Sequence, residues 1–229
     1  MKKLIQPLRF IVQACFMAGL FLPFFPFADS IGQKIWISIL FVGVFFCGWM
    51  CPFGSLQDWI GWLARKIHLP RFKVPQKYQQ YVQLMRYVLY GLSAVNIVFY
   101  FLNSRFYFGH SLVAGMWDWV NGSVLIIFLL AALFTDRPFC NYFCVQGAAM
   151  GVWSVLRPVG ISRKEDACVH CGLCNKVCPM NIQVSVTQFV RHPNCINCMK
   201  CLTICPQNCI QFTWIKNQTS GAGTRSASH

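Results

Sequence analysis

Residues 168–179 read CVHCGLCNKVCP, and the same arrangement returns at residues 195–206 as CINCMKCLTICP. Each stretch spaces its cysteines as Cys-x2-Cys-x2-Cys-x3-Cys and ends in proline, which is the bacterial spacing for [4Fe–4S] clusters. The first three thiolates of a run can wrap one cubane, whereas the fourth lies too far along the chain and binds the other cluster. The spacing therefore predicts a bacterial two-cluster, ferredoxin-like α+β domain.

This crossed ligation divides eight cysteines between two clusters. The first cluster is assigned to Cys168, Cys171, Cys174 and Cys205. The second cluster is assigned to Cys195, Cys198, Cys201 and Cys178. A zinc site is the alternative, but zinc modules pair Cys-x2-Cys units and do not show the third cysteine, the x3 gap and the proline twice.

Long apolar stretches precede the cysteine runs. The chain is 56% hydrophobic and only 11% charged, which is not the composition of an ordinary soluble domain. A helix of about 20 apolar residues crosses a bilayer. The stretches of that length are 8–27, 34–52, 84–102 and 119–135. We therefore predict a membrane α-helical fold with four transmembrane helices, followed by a cytoplasmic ferredoxin-like domain.

Basic residues set the expected orientation, because cytoplasmic loops are enriched in Lys and Arg. Basic residues such as Arg9, Arg137 and Arg157 flank the apolar stretches on the side that holds both termini. We therefore expect a multi-pass protein of the bacterial inner membrane with both termini cytoplasmic and the lipid membrane as a partner. The net charge of +14 does not indicate nucleic-acid binding, because the basic residues form no aromatic-interleaved patch.

A second cysteine pattern is duplicated within the apolar part. FFCGWMCPFG at 45–54 and FCNYFCVQG at 139–147 align with an offset of 93 residues, so each apolar hairpin ends in Cys-x3-Cys. Residues four apart share one helix face. The four thiols predict a third redox centre, either an iron–sulfur cluster or another metal, on Cys47, Cys51, Cys140 and Cys144. Redox-active disulfides and simple packing are the alternatives.

These patterns divide the chain into three parts. Residues 1–160 form the predicted membrane part, built as two repeated hairpins. Residues 161–214 form the ferredoxin domain, and residues 215–229 are predicted to be a flexible tail.

A quinone site has no short motif, so its candidates come from chemistry near the first cysteine pair. Asp58 and His68 could accept protons from a quinol, and Trp59 could stack on its ring. The candidates are Asp58, Trp59, Arg65 and His68. Each has an alternative role as an interfacial anchor or a helix cap. Haem is not expected, because none of the five histidines lies inside an apolar stretch.

With these motifs, the whole chain resembles the NapH-type membrane ferredoxins of quinol dehydrogenase complexes, which are related to MauN and to the C-terminal half of NosR. The resemblance implies an electron-transfer subunit between the quinone pool and another redox subunit, either an iron–sulfur or a cytochrome protein. One departure is that the family motif expects proline after the second cysteine pair, where this chain has Val145. The second site then either tolerates its loss or has another geometry.

A second function class stays open. In it, the protein is a maturation factor or metal reductase that supplies electrons to cofactor assembly or to copper or iron handling, as in the related CcoG-type copper reductases.

Overall fold

The computed structural model describes residues 2–20, 41–94 and 119–214. The predicted tail at 215–229 lies outside the described residues, as do parts of the predicted spans at 8–27, 34–52 and 84–102.

The first part of the chain is helical. Its helices with described bounds are α1 (Ile5–Leu20), α2 (Phe45–Trp49), α3 (Pro52–Lys66), α4 (Gln76–Ala94), α5 (Trp119–Phe134), α6 (Pro138–Tyr142) and α7 (Val145–Ser154). Helix α3 packs against α5, and α7 packs against α4. Two segments carry the cysteine pairs, α2–α3 and α6–α7. Each is therefore packed against a helix from another part of the chain.

Within the described ranges, no helix is both long and apolar enough to cross a membrane. Helix α5 is apolar, but its 16 residues rise about 24 Å, less than the about 30 Å of a hydrocarbon core. Helix α4 has 19 residues, but its first turns carry Gln76, Lys77, Gln79 and Gln80. The prediction of a membrane fold with four transmembrane helices is therefore wrong.

The predicted multi-pass location, with both termini cytoplasmic, is corrected by the same finding. It also depended on basic residues that were interpreted as loop charges. Arg9, Arg137 and Arg157 are instead 3%, 1% and 0% exposed. Their guanidinium groups donate hydrogen bonds to groups inside the fold, so packing accounts for their positions and a loop-charge rule does not.

The cysteine runs lie in a small ferredoxin-like domain. Strand β1 (Val159–Arg163) pairs antiparallel with β2 (Ile210–Trp214), and Ile161 lies opposite Phe212. The segment between the strands carries both runs and two short helices, α8 (Leu173–Val177) and α9 (Lys200–Ile204). The apolar core under the sheet is formed by Ile161, Met180, Ile182, Val184, Val190, Ile196, Leu202 and Ile210.

The ferredoxin-like domain packs directly on the helical part through the loop at 193–198. The Trp49 indole Nε1 donates to the Asn197 carbonyl over 3.1 Å, and the Tyr87 hydroxyl donates to Asn194 Oδ1 over 2.9 Å. Val44 and Cys47 belong to the same buried core as Ile196. The two parts therefore share one core and do not behave as separate bodies joined by a linker.

Gly48 allows this close approach, and Gly48→Ala tests it. A Cβ at position 48 would lie 2.3 Å from the Ile196 carbonyl oxygen, so the backbone would have to shift. We expect Gly48→Ala to lower the free energy of unfolding by about 1–3 kcal/mol, as overpacking does. Gly91→Ala is the control, since no described atom lies within 4 Å of its added Cβ. Equal effects of the two variants in urea unfolding would contradict the packing described here.

Candidate iron–sulfur site

The first ligand set surrounds an open cavity at the surface of the ferredoxin-like domain. Its lining includes Cys168, Cys171, Cys174 and Cys205. Cys171 is exposed, so this cavity is accessible from solvent. Cys209 also lines the cavity, and its Sγ lies 3.3 Å from that of Cys205.

The second ligand set surrounds a separate and more buried cavity. Its lining includes Cys178, Cys195, Cys198 and Cys201. Burial raises the pKa of Cys178 to about 12 and is also the largest cause of the raised pKa of Cys195. Without a positively charged ligand, such buried thiols hold their protons, and metal binding displaces them. The donor set therefore fits a buried metal centre.

The grouping of the cysteines distinguishes a cluster from a single ion. In each cavity, three cysteines of one run meet the fourth cysteine of the other run, as the crossed assignment requires. A cubane binds its cysteines at separate corners, so four thiols around an open cavity fit a [4Fe–4S] cluster better than zinc.

The backbone repeats between the two runs with an offset of 27 residues. His170 and Asn197 both have positive φ, at 51° and 47°. Gly172 and Met199 also have positive φ, at 72° and 57°, and each is the residue before a short helix. Isolated left-handed residues turn successive N–H groups toward one side and form concave anion sites, a device common at Fe–S centres. The repeated conformation therefore suits a negatively charged cluster in each cavity.

The duplicated Cys-x3-Cys motif also has one geometry in both copies. Cys51 precedes α3 with φ −62° and ψ 117°, and Cys144 precedes α7 with φ −68° and ψ 102°. The Cys51 amide donates to the Phe46 carbonyl over 2.9 Å, and the Cys144 amide donates to the Phe139 carbonyl over 3.0 Å. The internal repeat in the sequence predicted this equivalence, and these backbone hydrogen bonds match position by position.

Val145 occupies the same place as Pro52, the first residue of the following helix. Proline is favoured there because its fixed φ suits the first turn and its missing N–H would have no helical partner. The hydrogen-bond pattern before the helix is kept without it. The missing proline therefore does not change the second site's geometry.

The four thiols of the duplicated motif are close enough to interact electrostatically. Burial raises the pKa of Cys140 well above that of a free thiol, the charge of Arg137 lowers it, and the other three thiols raise it further. Donors also reach the sulfurs: Gln57 Nε2 lies 3.3 Å from Cys140 Sγ, and the Gly147 amide donates to Cys144 Sγ over 3.2 Å. Such donors stabilise negative charge on sulfur and suit thiolate ligands.

Asp58, the predicted proton acceptor of a quinone site, is instead the centre of a buried ion-pair network. Its carboxylate contacts Arg9, lies 2.6 Å from Arg137 Nη2 and 3.6 Å from Lys200 Nζ. Burial alone would raise its pKa, but the three cations hold it well below the usual range of a carboxyl group. A carboxylate held in this way is a poor proton acceptor near neutral pH.

The other quinone candidates lie in different surroundings. Trp59 packs against Phe10, with ring centroids 5.4 Å apart. Arg65 donates to Asp136 over 3.1 Å with nearly half of its side chain exposed. His68 is exposed just beyond the end of α3. The structure therefore places one candidate in a buried network and two at the surface.

Sequence reasoning missed the inward-pointing arginines near the thiols. Arg137 Nη1 donates to the Cys47 carbonyl over 2.8 Å, and Arg86 Nη1 donates to the Cys140 carbonyl over 3.4 Å. Arg157 Nη1 donates to the Cys195 carbonyl over 3.5 Å. The sequence offered one indication, because Arg137 precedes the cysteine pair Cys140 and Cys144 by three residues. It does not show which arginines point inward.

Two family models match the chain. A "4Fe-4S binding domain" matches residues 35–70 and 117–164, which contain the duplicated Cys-x3-Cys motif. A "4Fe-4S dicluster domain" matches residues 160–213, which contain both cysteine runs. Together with the cavities, these matches define the class: the chain is an iron–sulfur protein of the ferredoxin-type electron-transfer family, and the resemblance to NapH-type ferredoxins is confirmed.

Individual relatives agree with this class. The chain is 33% identical to YccM of Escherichia coli over 61% of its own length and 42% of that protein. It is 29% identical to MJ0750 of Methanocaldococcus jannaschii, covering 81% of this chain and 84% of the relative. It is 31% identical to the ferredoxin-type protein NapH of Haemophilus influenzae, covering 62% and 51%. The chain thus spans less than half of YccM and about half of NapH. No solved structure matches the chain.

Proposed function

We propose that the protein is a one-electron carrier that holds two [4Fe–4S] clusters in its ferredoxin-like domain and a third iron–sulfur centre on the duplicated Cys-x3-Cys motif. When bound, such clusters supply one-electron transfer. The chain's own contribution is to hold the ligands, to exclude water and to bring the three ligand sets close together.

The close packing of Cys47 and Gly48 on the second ligand set carries this proposal. A Cβ on Gly48 would lie 3.6 Å from the Cys198 Cα, so the two ligand-bearing backbones are in van der Waals contact. The pKa of Arg137 is raised overall: burial lowers it, but Asp58 and then Cys140 and Cys198 raise it. One guanidinium therefore interacts with both the duplicated motif and the second ligand set. The arrangement suits electron exchange between the duplicated motif and the second cavity.

In this proposal the first ligand set is the outermost of the three ligand sets. Cys171 is exposed, and Val169 beside it is 62% exposed, whereas the second set is largely covered by the helical part. A redox partner can therefore approach the first cavity more closely than the second. We propose that another redox subunit docks at this end.

A quinol is our proposed electron donor, and its support is the NapH-type resemblance. The Asp58 network is not the proposed proton acceptor, because its carboxylate already pairs with three cations. The donor would therefore act elsewhere near the duplicated motif.

The double variant Cys47→Ser, Cys140→Ser tests the third centre. After reconstitution with iron and sulfide, we expect it to bind about four fewer iron atoms per chain than the wild type, while the two ferredoxin clusters remain. Reduction of those clusters by a quinol should slow at least tenfold, because the inner ligand set is lost. Iron and sulfide analysis, paired with stopped-flow absorbance, measures both effects.

Cys15→Ser is the control, since Cys15 is exposed on α1. It should change neither iron content nor rate. If the double variant keeps the iron content and the rate of the wild type, the four cysteines are packing residues and the third centre is absent. A lower iron content with an unchanged rate of cluster reduction by the quinol would instead show that the quinol does not donate electrons at the duplicated motif.

A further inference from the structure

Two buried arginines have no carboxylate partner among the described residues. Arg86 and Arg157 are 2% and 0% exposed, and neither forms an ion pair within the described ranges. The nearby Arg137 differs, because Asp58 neutralises it. An uncompensated buried cation is strongly destabilising, so each of these two positions favours a nearby negative charge, which the carboxylates of the described residues do not supply.

Arg86 lies against the duplicated Cys-x3-Cys motif. From α4, it donates to the carbonyls of Cys140 and Gly147. Its Nε has no hydrogen-bond partner in the described structure. Its guanidinium packs beside two glycines of α7: an added Cβ at Gly147 or Gly151 would lie 3.5 or 3.3 Å from Nη2, and the one at Gly151 would lie closer still to the Pro193 carbonyl oxygen, at 2.7 Å.

Arg157 has the same relation to the second ligand set. It donates to the carbonyls of Cys195 and Val190, and its Nε also has no partner in the described structure. An added Cβ at Gly43 would lie 2.7 Å from Arg157 Cδ, and one at Gly160 would lie 3.1 Å from Nε. Each buried guanidinium thus lies beside two glycines and donates to the carbonyl of one ligand cysteine.

We infer that Arg86 and Arg157 are dedicated counter-charges, Arg86 for the centre on the duplicated motif and Arg157 for the cluster on the second ligand set. This inference rests on the proposed function. A cluster held by four thiolates is anionic, and a fixed positive charge beside it favours the reduced form. Each arginine therefore raises the reduction potential of its own centre. The arginine at the first cavity, Arg163, differs because it pairs with Glu165 over 2.9 Å.

Arg86→Gln and Arg157→Gln remove the charges one at a time. In reconstituted protein titrated electrochemically and followed by EPR, Arg86→Gln should shift the reduced-to-oxidised ratio of the duplicated-motif centre at least tenfold toward oxidised, which is 59 mV for one electron. Arg157→Gln should do the same for the second cluster. The potential of the first cluster should stay unchanged in both variants.

Lysine variants and a paired arginine serve as controls. Arg86→Lys and Arg157→Lys keep the charge, so the reduction potential of the neighbouring centre should stay close to its wild-type value. Arg71→Gln should move no potential, because Arg71 also lies beside a glycine but pairs with Asp136 over 2.7 Å. If a glutamine variant does not fold, Arg86→Met or Arg157→Met removes the charge with an apolar side chain.

The outcomes separate this inference from the proposed function. If iron content is unchanged and each neutral variant shifts no potential, or shifts all three centres equally, the inference is wrong while the third centre stands. If lysine behaves like glutamine, charge is not the cause and the inference is also wrong. Loss of the third centre itself would show in the iron content of the Cys47→Ser, Cys140→Ser protein, whatever the arginine variants do.

Discussion

Cys178→Ser is expected to remove about four iron atoms per chain and to abolish the cluster of the second run, although Cys178 belongs to the first run. The reason is spatial, because Cys178 lines the second cavity together with Cys195, Cys198 and Cys201. Serine is a poor ligand for cluster iron and leaves that cavity with three thiolates. Iron analysis and EPR of the reconstituted variant measure the loss.

Cys205→Ser is the reciprocal variant and should affect the other cluster, since Cys205 lines the first cavity. Cys209→Ser is the matched control, because it changes a thiol in that same cavity that is not an assigned ligand. If Cys178→Ser removes the first cluster and spares the second, ligation follows the order of the sequence and the crossed assignment is wrong.

Asp58→Asn is expected to destabilise the protein by about 3–5 kcal/mol, the usual cost of removing one partner from a buried ion pair. The Asp58 side chain is 10% exposed and faces three cations, of which Arg9 and Arg137 are buried. Asparagine leaves all three without a neutralising charge. Urea unfolding of the wild type and the variant measures the difference.

The pH dependence of this effect has a defined sign. The cations depress the pKa of Asp58 in the folded state, so its contribution is complete above the unfolded pKa of about 3.9 and is lost progressively as the pH falls from there through the lower folded pKa. The difference between wild type and variant should therefore be the same at pH 5.5 and 7.5. A difference that does not shrink as the pH is lowered below about 3.9 would show that the folded pKa of Asp58 is not depressed.

Asp136→Asn provides the matched control for Asp58. Asp136 also contacts two arginines, Arg65 and Arg71, but its side chain is 23% exposed and that of Arg65 is 45% exposed. Solvent screens such pairs, so we expect a loss of about 1 kcal/mol or less. Equal losses at the two aspartates would mean that burial does not govern the Asp58 network.

The ligand chemistry could be predicted from the sequence because it depends on the local spacing of the cysteines. A cysteine run of twelve residues wraps a cluster within its own length, so the choice of cofactor depends little on the rest of the fold. The same holds for the duplicated Cys-x3-Cys motif, whose equivalence follows from an offset of 93 residues. The membrane prediction failed because it used average composition over windows and did not fix where helices begin and end. Helix α5 is apolar enough for the prediction but too short.

The sequence by itself determined the class of cofactor and the internal repeat, and it predicted the eight ferredoxin ligands, because each of these depends on short-range spacing. Only the tertiary structure decided that Cys47 and Gly48 lie against the second ligand set, that Asp58 neutralises buried cations, and that Arg86 and Arg157 point inward. These features join residues that are far apart in the chain. Whether a charge is buried or solvated depends on such long-range packing, and the sequence around one arginine does not specify it.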